Sequence, residues 1–303
     1  MDLCHATQNL EIGYMNPTDP DYAELQRIAA IIVERAGGYQ RLQKNFPLLI
    51  REVIDSIIDP ARTGRTHFND LVNVEKTFIG LRLEHVLRDM IDVPSGLRDL
   101  VIDGMDVDVK NTVRNTWTIP PETYRNEEPC ILIRSNEENL LCWLGVIFAR
   151  DKYLTISTNR DGKRSISAYG KNHILWILDS LPYPSGHWEN INTQRFRELR
   201  EIQGGAKRAS CFLRENLGKK IHRSVIQALL YDQMDYMKRI RGNGGARDIL
   251  NPEGIAILTG AYDSNIAMIL GYGNLLPDEI IAIKPQNQQQ FDLLLNHKLI
   301  HIL

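Results

Sequence analysis

The nine residues "IDGMDVDVK", Ile102 to Lys110, decide how this chain is read. Asp103-Gly104 is the strongest short-range hairpin signal, because a two-residue type I′ turn needs positive φ at both central positions. If it closes such a loop, paired positions sum to 207: Ile102 faces Met105, Val101 faces Asp106 and Asp99 faces Asp108. Strand alternation then sorts the side chains. Leu100, Ile102, Met105, Val107 and Val109 point to a core, while Asp99, Val101, Asp106, Asp108 and Lys110 point the other way.

Directly opposed side chains have Cβ atoms roughly 4.5–5.5 Å apart, and like charges at that distance destabilise a sheet. Something must offset the repulsion of so many carboxylates. A hard divalent cation does this, since Mg²⁺ takes oxygen ligands and is usually held by one or two carboxylates with water and substrate phosphate. Lys110, next on the same face, can orient a water or stabilise charge developing on a phosphoryl oxygen. Such a set suits phosphodiester hydrolysis. The plainer alternative is an exposed acidic hairpin face with Lys110 as its counter-charge. An EF-hand loop is excluded by the missing helical flanks, sixth-position Gly and twelfth-position Glu.

Upstream of the hairpin, "YAELQRIAAIIVERAGG" and "FPLLIREVIDSIID" carry helical patterns, ended by a Gly pair and by Pro60. A third helix, about Val74 to Met90, sets Ile79, Leu83, Val86, Leu87 and Met90 on one stripe. Glu84 falls at the border of that stripe, one turn beyond Gly80. Downstream, "CILIR", "LLCWLGVIFA" and "YLTIST" read as strands, and "HILWILDSL" as the end of a helix. "PYPSGHWEN", residues 182–190, is rich in Pro, Gly and small polar residues and marks a linker. Beyond it, "AKRASCFLRENLG", "KKIHRSVIQALLYDQ" and "DYMKRIRGNGGAR" are three short helical patterns, followed by a strand at "GIAILTG". That order suggests a winged helix-turn-helix.

The charge is segregated. From Arg195 to Arg247 there are 13 Lys plus Arg against 5 Asp plus Glu, so a chain of net charge −2 carries +8 there and −10 elsewhere. A basic second half meets a polyanion, and an acidic first half has carboxylates for chemistry. The expected DNA contacts are Lys207, Arg208, Lys219, Lys220, Arg223, Lys238, Arg239, Arg241 and Arg247. Most of these set affinity and salt dependence rather than sequence choice.

Other chemistries find little support. Cys4, Cys130, Cys142 and Cys211 are far apart without CxxC pairing, so neither a disulfide framework nor a zinc site is indicated. The eight His residues lack ligand spacing; His67 and His222 read as structural or DNA-contacting. Trp117, Trp143 and Trp176 read as core or interface aromatics. No GxxxxGK[ST], GxSxG or HExxH occurs, and "GYGNLL" lacks a third glycine. With no apolar run of membrane length and no signal-like start in "MDLCHATQNL", a soluble cytoplasmic protein is expected.

Asp99 followed by Asp108-Val109-Lys110, with Glu84 on the preceding helix, matches the active-site pattern of PD-(D/E)xK nucleases. Three longer stretches are more specific: "RTGRTHFNDLVNVEKTFIGLRLE" (62–84), "IDGMDVDVKNTVRNTWTIPPE" (102–122) and "DYMKRIRGNGGARDILNPEGIAIL" (235–258). Together they closely resemble the NaeI family of type II restriction endonucleases, in order and in both halves of the chain. The resemblance implies that Glu84, Asp99 and Asp108 are the catalytic and metal-binding acids and Lys110 the catalytic lysine. Departures from the general pattern are Arg98 where a proline precedes the first acid, and Val109 inside the triplet. The resemblance further implies an N-terminal domain that cuts DNA and a winged-helix domain, like that of catabolite activators, that binds a second copy of the site and makes cleavage depend on it.

The expectation is therefore an α/β restriction-endonuclease-like mixed sheet flanked by helices at 1–181, a linker at 182–190, and a mainly helical winged helix-turn-helix domain at 191–303. Its activity would be Mg²⁺-dependent cleavage of double-stranded DNA at a palindromic site, leaving 5′-phosphate and 3′-hydroxyl ends. A palindrome calls for a homodimer, and a restriction enzyme for a cognate DNA methyltransferase. Two alternatives stand beside it: a DNA-binding regulator with an inert nuclease domain, and a repair nuclease of the same fold.

Overall fold

The computed structural model describes residues 15–156, 160–188 and 190–301. Cys4 with the rest of the N-terminal stretch, and the last residues of "YLTIST", lie outside them. In chain order the first elements are α1 (Tyr22–Arg35), α2 (Tyr39–Ile58), α3 (Pro60–Thr63), α4 (Asn73–Ile91), β1 (Leu100–Ile102), β2 (Met105–Thr112), β3 (Thr118–Ile119), α5 (Pro121–Tyr124), β4 (Pro129–Asn136), β5 (Leu141–Phe148), β6 (Arg164–Ser165), α6 (Ala168–Lys171) and β7 (Leu175–Pro182). There follow α7 (Thr193–Arg200), α8 (Gly205–Glu215), β8 (Lys220–His222), α9 (Arg223–Leu229), α10 (Ala246–Leu250), β9 (Ala256–Thr259), α11 (Gly260–Ile269), β10 (Glu279–Ile283) and α12 (Gln288–Asn296).

These elements form two compact units. One takes the described chain up to Ile57 together with Leu71–Ser185; the other takes Ile58–Asp70 and the chain from Gly186 onward. Nothing in composition announces the 58–70 excursion. It is held in the second unit by Arg200, whose guanidinium donates to the carbonyls of Pro60 at 2.9 Å and Ala61 at 2.8 Å.

In the first unit the described strands form a mixed five-stranded sheet in the order β1-β2-β4-β5-β7. β2 runs parallel to β4, and the other pairs are antiparallel. This mixed sheet with flanking helices is the α/β architecture expected for a restriction-endonuclease fold. β4 is buried at each residue from Pro129 to Ile133, as a central strand covered on both faces must be. α4 buries Ile79, Leu83, Leu87 and Ile91, close to the anticipated stripe, and its end places Asp92 in the left-handed region at φ 46°.

Two local readings differ from the structure. "HILWILDSL" forms β7, not a helix, with Leu175, Ile177 and Leu178 buried and Leu175 paired to Val146. A short apolar run cannot by itself distinguish a buried strand from a buried helix, and here the free side of β5 settles the choice. "YLTIST" gives no strand in its described part: Tyr153 closes a 3-10 turn and Leu154 makes only an isolated bridge to Ile166.

The start of the first unit is fastened by a partly buried ion pair, its carboxylate inside and its guanidinium at the edge. Asp21, 2% exposed, accepts from Arg150 Nε at 2.8 Å and Nη2 at 2.6 Å, and from the Tyr153 hydroxyl at 2.9 Å. Beside it, Asp19 bonds His173 Nδ1 at 2.5 Å.

The second unit centres on a three-stranded antiparallel sheet in the order β8-β10-β9. Alternation divides β10: Ile280 and Ala282 join the core under α8 and α9, while Ile281 and Ile283 join the core containing Ile266, Ala267 and Leu294. Here too the helical readings are trimmed. Lys220–His222 pair with Glu279–Ile281 as a strand, and "DYMKRIRGNGGAR" yields one 3-10 turn at Met237–Arg239 before α10. Gly245 makes that stretch a tight loop, since a Cβ there would sit 2.0 Å from the carbonyl oxygen of Arg241. No helix among the described residues is long and apolar enough to cross a membrane.

Candidate active site

The hairpin places the chemistry. Asp103 and Gly104 have φ of 52° and 77°, and the ladder pairs Ile102 with Met105, Val101 with Asp106 and Leu100 with Val107. Asp99 lies just before β1, and its Oδ2 accepts the backbone N–H of Val109 at 2.6 Å. The side chain thus takes the place of a ladder bond and is held against β2 beside Asp108.

Asp108 is buried, at 2% exposure. One of its oxygens accepts from the Lys110 ammonium, and the other accepts the Thr123 hydroxyl at 2.6 Å. Asp99 is also within hydrogen-bonding reach of it. Burial pushes the Asp108 carboxyl above the usual aspartate range, Asp99 pushes the same way, and Lys110 and Thr123 only partly oppose them. A buried carboxylate crowded by a second one is a donor set that fits a hard divalent cation.

Asp106 answers a different need. Its Oδ1 accepts the backbone N–H of Leu97 at 2.6 Å, so it holds the loop ahead of β1 rather than joining the other acids. Arg98, standing where the general pattern has proline, braces the same loop through Glu128 at 2.7 Å and the Glu122 carbonyl at 2.8 Å. Spacing gives no sign of Thr123 or Glu128, and it marks Arg98 only as a departure from the general pattern. The only local signal was Pro120-Pro121, which starts the short helix α5 that delivers Thr123.

The single cage of three acids expected from the sequence is not what the structure shows. Asp99, Asp108 and Lys110 come together, and Glu84 is half-buried on α4. Among the described residues, no three His, Cys, Asp or Glu side chains stand close enough to hold a metal ion. Cys130, the register partner of Asp108, is buried and its thiol is pushed well up by that burial, which makes it inert.

The proposed basic contacts divide by environment. Lys207, Lys219, Lys220, Arg223, Lys238 and Arg241 are exposed. Three of them have internal partners: Lys219 the carbonyl of Asn190, Lys220 that of Asn274, and Arg223 the Asp278 carboxylate at 2.8 Å. Arg239 and Arg247 are half-buried on Gln233 and the Ile257 carbonyl. Arg208 is corrected outright. It is 2% exposed, and its guanidinium donates to Asp232 and to the carbonyls of Ile202 and Leu229, so it braces the second unit instead of facing DNA.

Against known proteins, the family model described as restriction endonuclease NaeI matches residues 43–291. The chain belongs to the NaeI family of restriction endonucleases. The type II restriction enzyme NaeI of Lentzea aerocolonigenes is 32% identical over 225 residues, which is 69% of this chain and 68% of that protein. The NaeI family match runs through α4, the hairpin and most of the second unit. As a member of a restriction-endonuclease family, the chain is a site-specific deoxyribonuclease.

Proposed function

We propose that the chain is a Mg²⁺-dependent type II enzyme that cuts double-stranded DNA at a palindromic site and is activated by a second DNA copy. The observation that carries this reading is the grouping of Asp99, Asp108 and Lys110 on one hairpin of a chain in this family. Asp99 and Asp108 would hold the cation; Glu84 belongs to the acid set through the resemblance alone. When bound, Mg²⁺ supplies Lewis-acid polarisation of the scissile phosphate and a water of lowered pKa. The chain's own part is placement and charge. Lys110 donates to a phosphoryl oxygen or to the attacking water, Thr123 and Val109 N–H fix the two carboxylates, and Arg98 fixes the loop carrying Asp99.

The second unit supports the winged-helix part. Short helices α8, α9 and α10 beside a small antiparallel sheet, with β8 paired to β10, are parts a winged helix-turn-helix would use, while α11 stands between β9 and β10 where a simple wing has only a turn. Exposed Lys238 and Arg241, on the loop leading to α10, are then proposed phosphate contacts. Cytoplasmic action with a cognate methyltransferase completes the proposal. A supercoiled plasmid incubated with Mg²⁺ should give discrete bands, and with EDTA none. Sequenced ends would report site and overhang, and a one-site plasmid should be cut faster when a site-bearing oligonucleotide is added. No cutting with retained binding would favour a regulator; nicks only at lesions would favour repair.

A palindromic target calls for a homodimer, and α4 supports one. Val74, Phe78 and Leu81 sit at i, i+4 and i+7 on its outer face with exposures of 66%, 48% and 54%. Phe78→Arg should lower the dimer fraction at least about tenfold in sedimentation velocity, since charge is depleted from interface cores. An unchanged dimer would place the interface elsewhere.

A further inference from the structure

A cleft of about 360 Å³ lies between the start of α4 and the end of β2, lined chiefly by Lys76, Thr77, Gly80, Asn111, Thr112 and Arg114. All of these residues belong to the first unit, and no acid lines the cleft. Two observations mark it as a ligand site. Asn111 Oδ1 is buried and has no hydrogen-bond partner among the described residues, so an acceptor waits there for a donor. Gly80 sits inside α4, where glycine weakens a helix. Neither backbone nor packing demands it, because its φ is not left-handed and a Cβ would make ordinary contact with Asn111 Cβ at 3.6 Å. What its bareness does is keep the cleft open.

We propose that this cleft holds the DNA strand beside the scissile phosphate, with Lys76 and Arg114 on backbone phosphates and Asn111 Oδ1 accepting from a nucleobase amino group. The proposal rests on the nuclease reading above. Arg114 is four residues past Lys110, a reach of at most about 14 Å, while Asn111 leaves β2 on the face opposite to Lys110, toward Gly80 of α4. DNA rises 3.4 Å per phosphate along one strand, so the cleft meets nucleotides within about four of the cut. Asparagine pairs naturally with base edges that carry an amino group, above all adenine.

The test begins with wild-type cut sites mapped on a plasmid. Arg114→Ala and Lys76→Ala should each lower kcat/KM about tenfold or more and make the dependence of log rate on log salt shallower by about one. Asn111→Ala should relax the preference at a single base pair, seen in sequenced ends. Gly80→Leu should fill the cleft and slow cutting while leaving the thermal unfolding midpoint unchanged or higher. Variants that cut the same sites at the wild-type rate and salt slope overturn the proposal. A second readout separates it from the nuclease reading: hydrogen exchange in EDTA, with and without a plasmid fragment. Protection over 73–80 and 111–114 is expected whether or not the chain cuts, and unchanged exchange there alongside protection elsewhere sinks the cleft alone.

Discussion

Asp108→Asn is expected to cut DNA at least about 10³-fold more slowly than the wild type and yet to unfold at a higher temperature at neutral pH. The first half follows from the place of Asp108 in the only pair of acids the hairpin brings together with Lys110 among the described residues. The second follows from burial, which raises the Asp108 pKa more than Lys110 and Thr123 lower it. With the folded pKa above the unfolded value, the protonated carboxyl favours folding at low pH, and that contribution is lost as pH rises through the folded pKa. A neutral amide of the same shape escapes this loss. The gain, about 0.5–2 kcal/mol as for other relieved functional sites, should therefore be present at pH 7 and disappear in acid. Added Mg²⁺ should raise the unfolding temperature of the wild type and leave Asp108→Asn unmoved, because only a ligand bound to the folded state stabilises it. A variant that melts lower at pH 7 would mean that the pair with Lys110 outweighs desolvation.

Arg150→Ala should cost the first unit about 1–3 kcal/mol, the usual loss when a buried acceptor is left short of a partner, since Arg150 is itself partly exposed and Tyr153 still donates to Asp21. Burial alone would raise the Asp21 pKa, but the bonds from Arg150 and Tyr153 bring it below the ordinary aspartate value. The sign is thus opposite to that at Asp108. The stabilisation is complete above the unfolded aspartate pKa of about 3.9 and is lost as pH falls through the depressed folded value. Urea unfolding of wild type and variant should differ most from pH 5 to 7 and converge below pH 4. A difference under about 1 kcal/mol at pH 7 would show that water replaces the guanidinium at little cost.

These two carboxylates show where sequence reading stops. Asp108 could be picked out because its partners in the turn are near in sequence: Asp103-Gly104 sets the register and the register sets the face. Asp21 had no such signal, since its partners Arg150 and Tyr153 are more than 120 residues away. Arg208 was misread for the same reason. As one basic residue in a basic stretch it looked like a DNA contact, and only packing against Asp232 and two carbonyls turned it inward.

The sequence by itself determined the hairpin, its alternation, the helical stripe of α4 and the charge division between the halves, because each depends on neighbours within a turn or two. Tertiary structure alone decided that "HILWILDSL" is an outer strand of the sheet, that residues 58–70 pack with the second unit, and that Asp106 serves a loop. Each of these outcomes depends on which distant backbone or side chain offers a partner for a buried group, and that is a property of the assembled core rather than of local spacing.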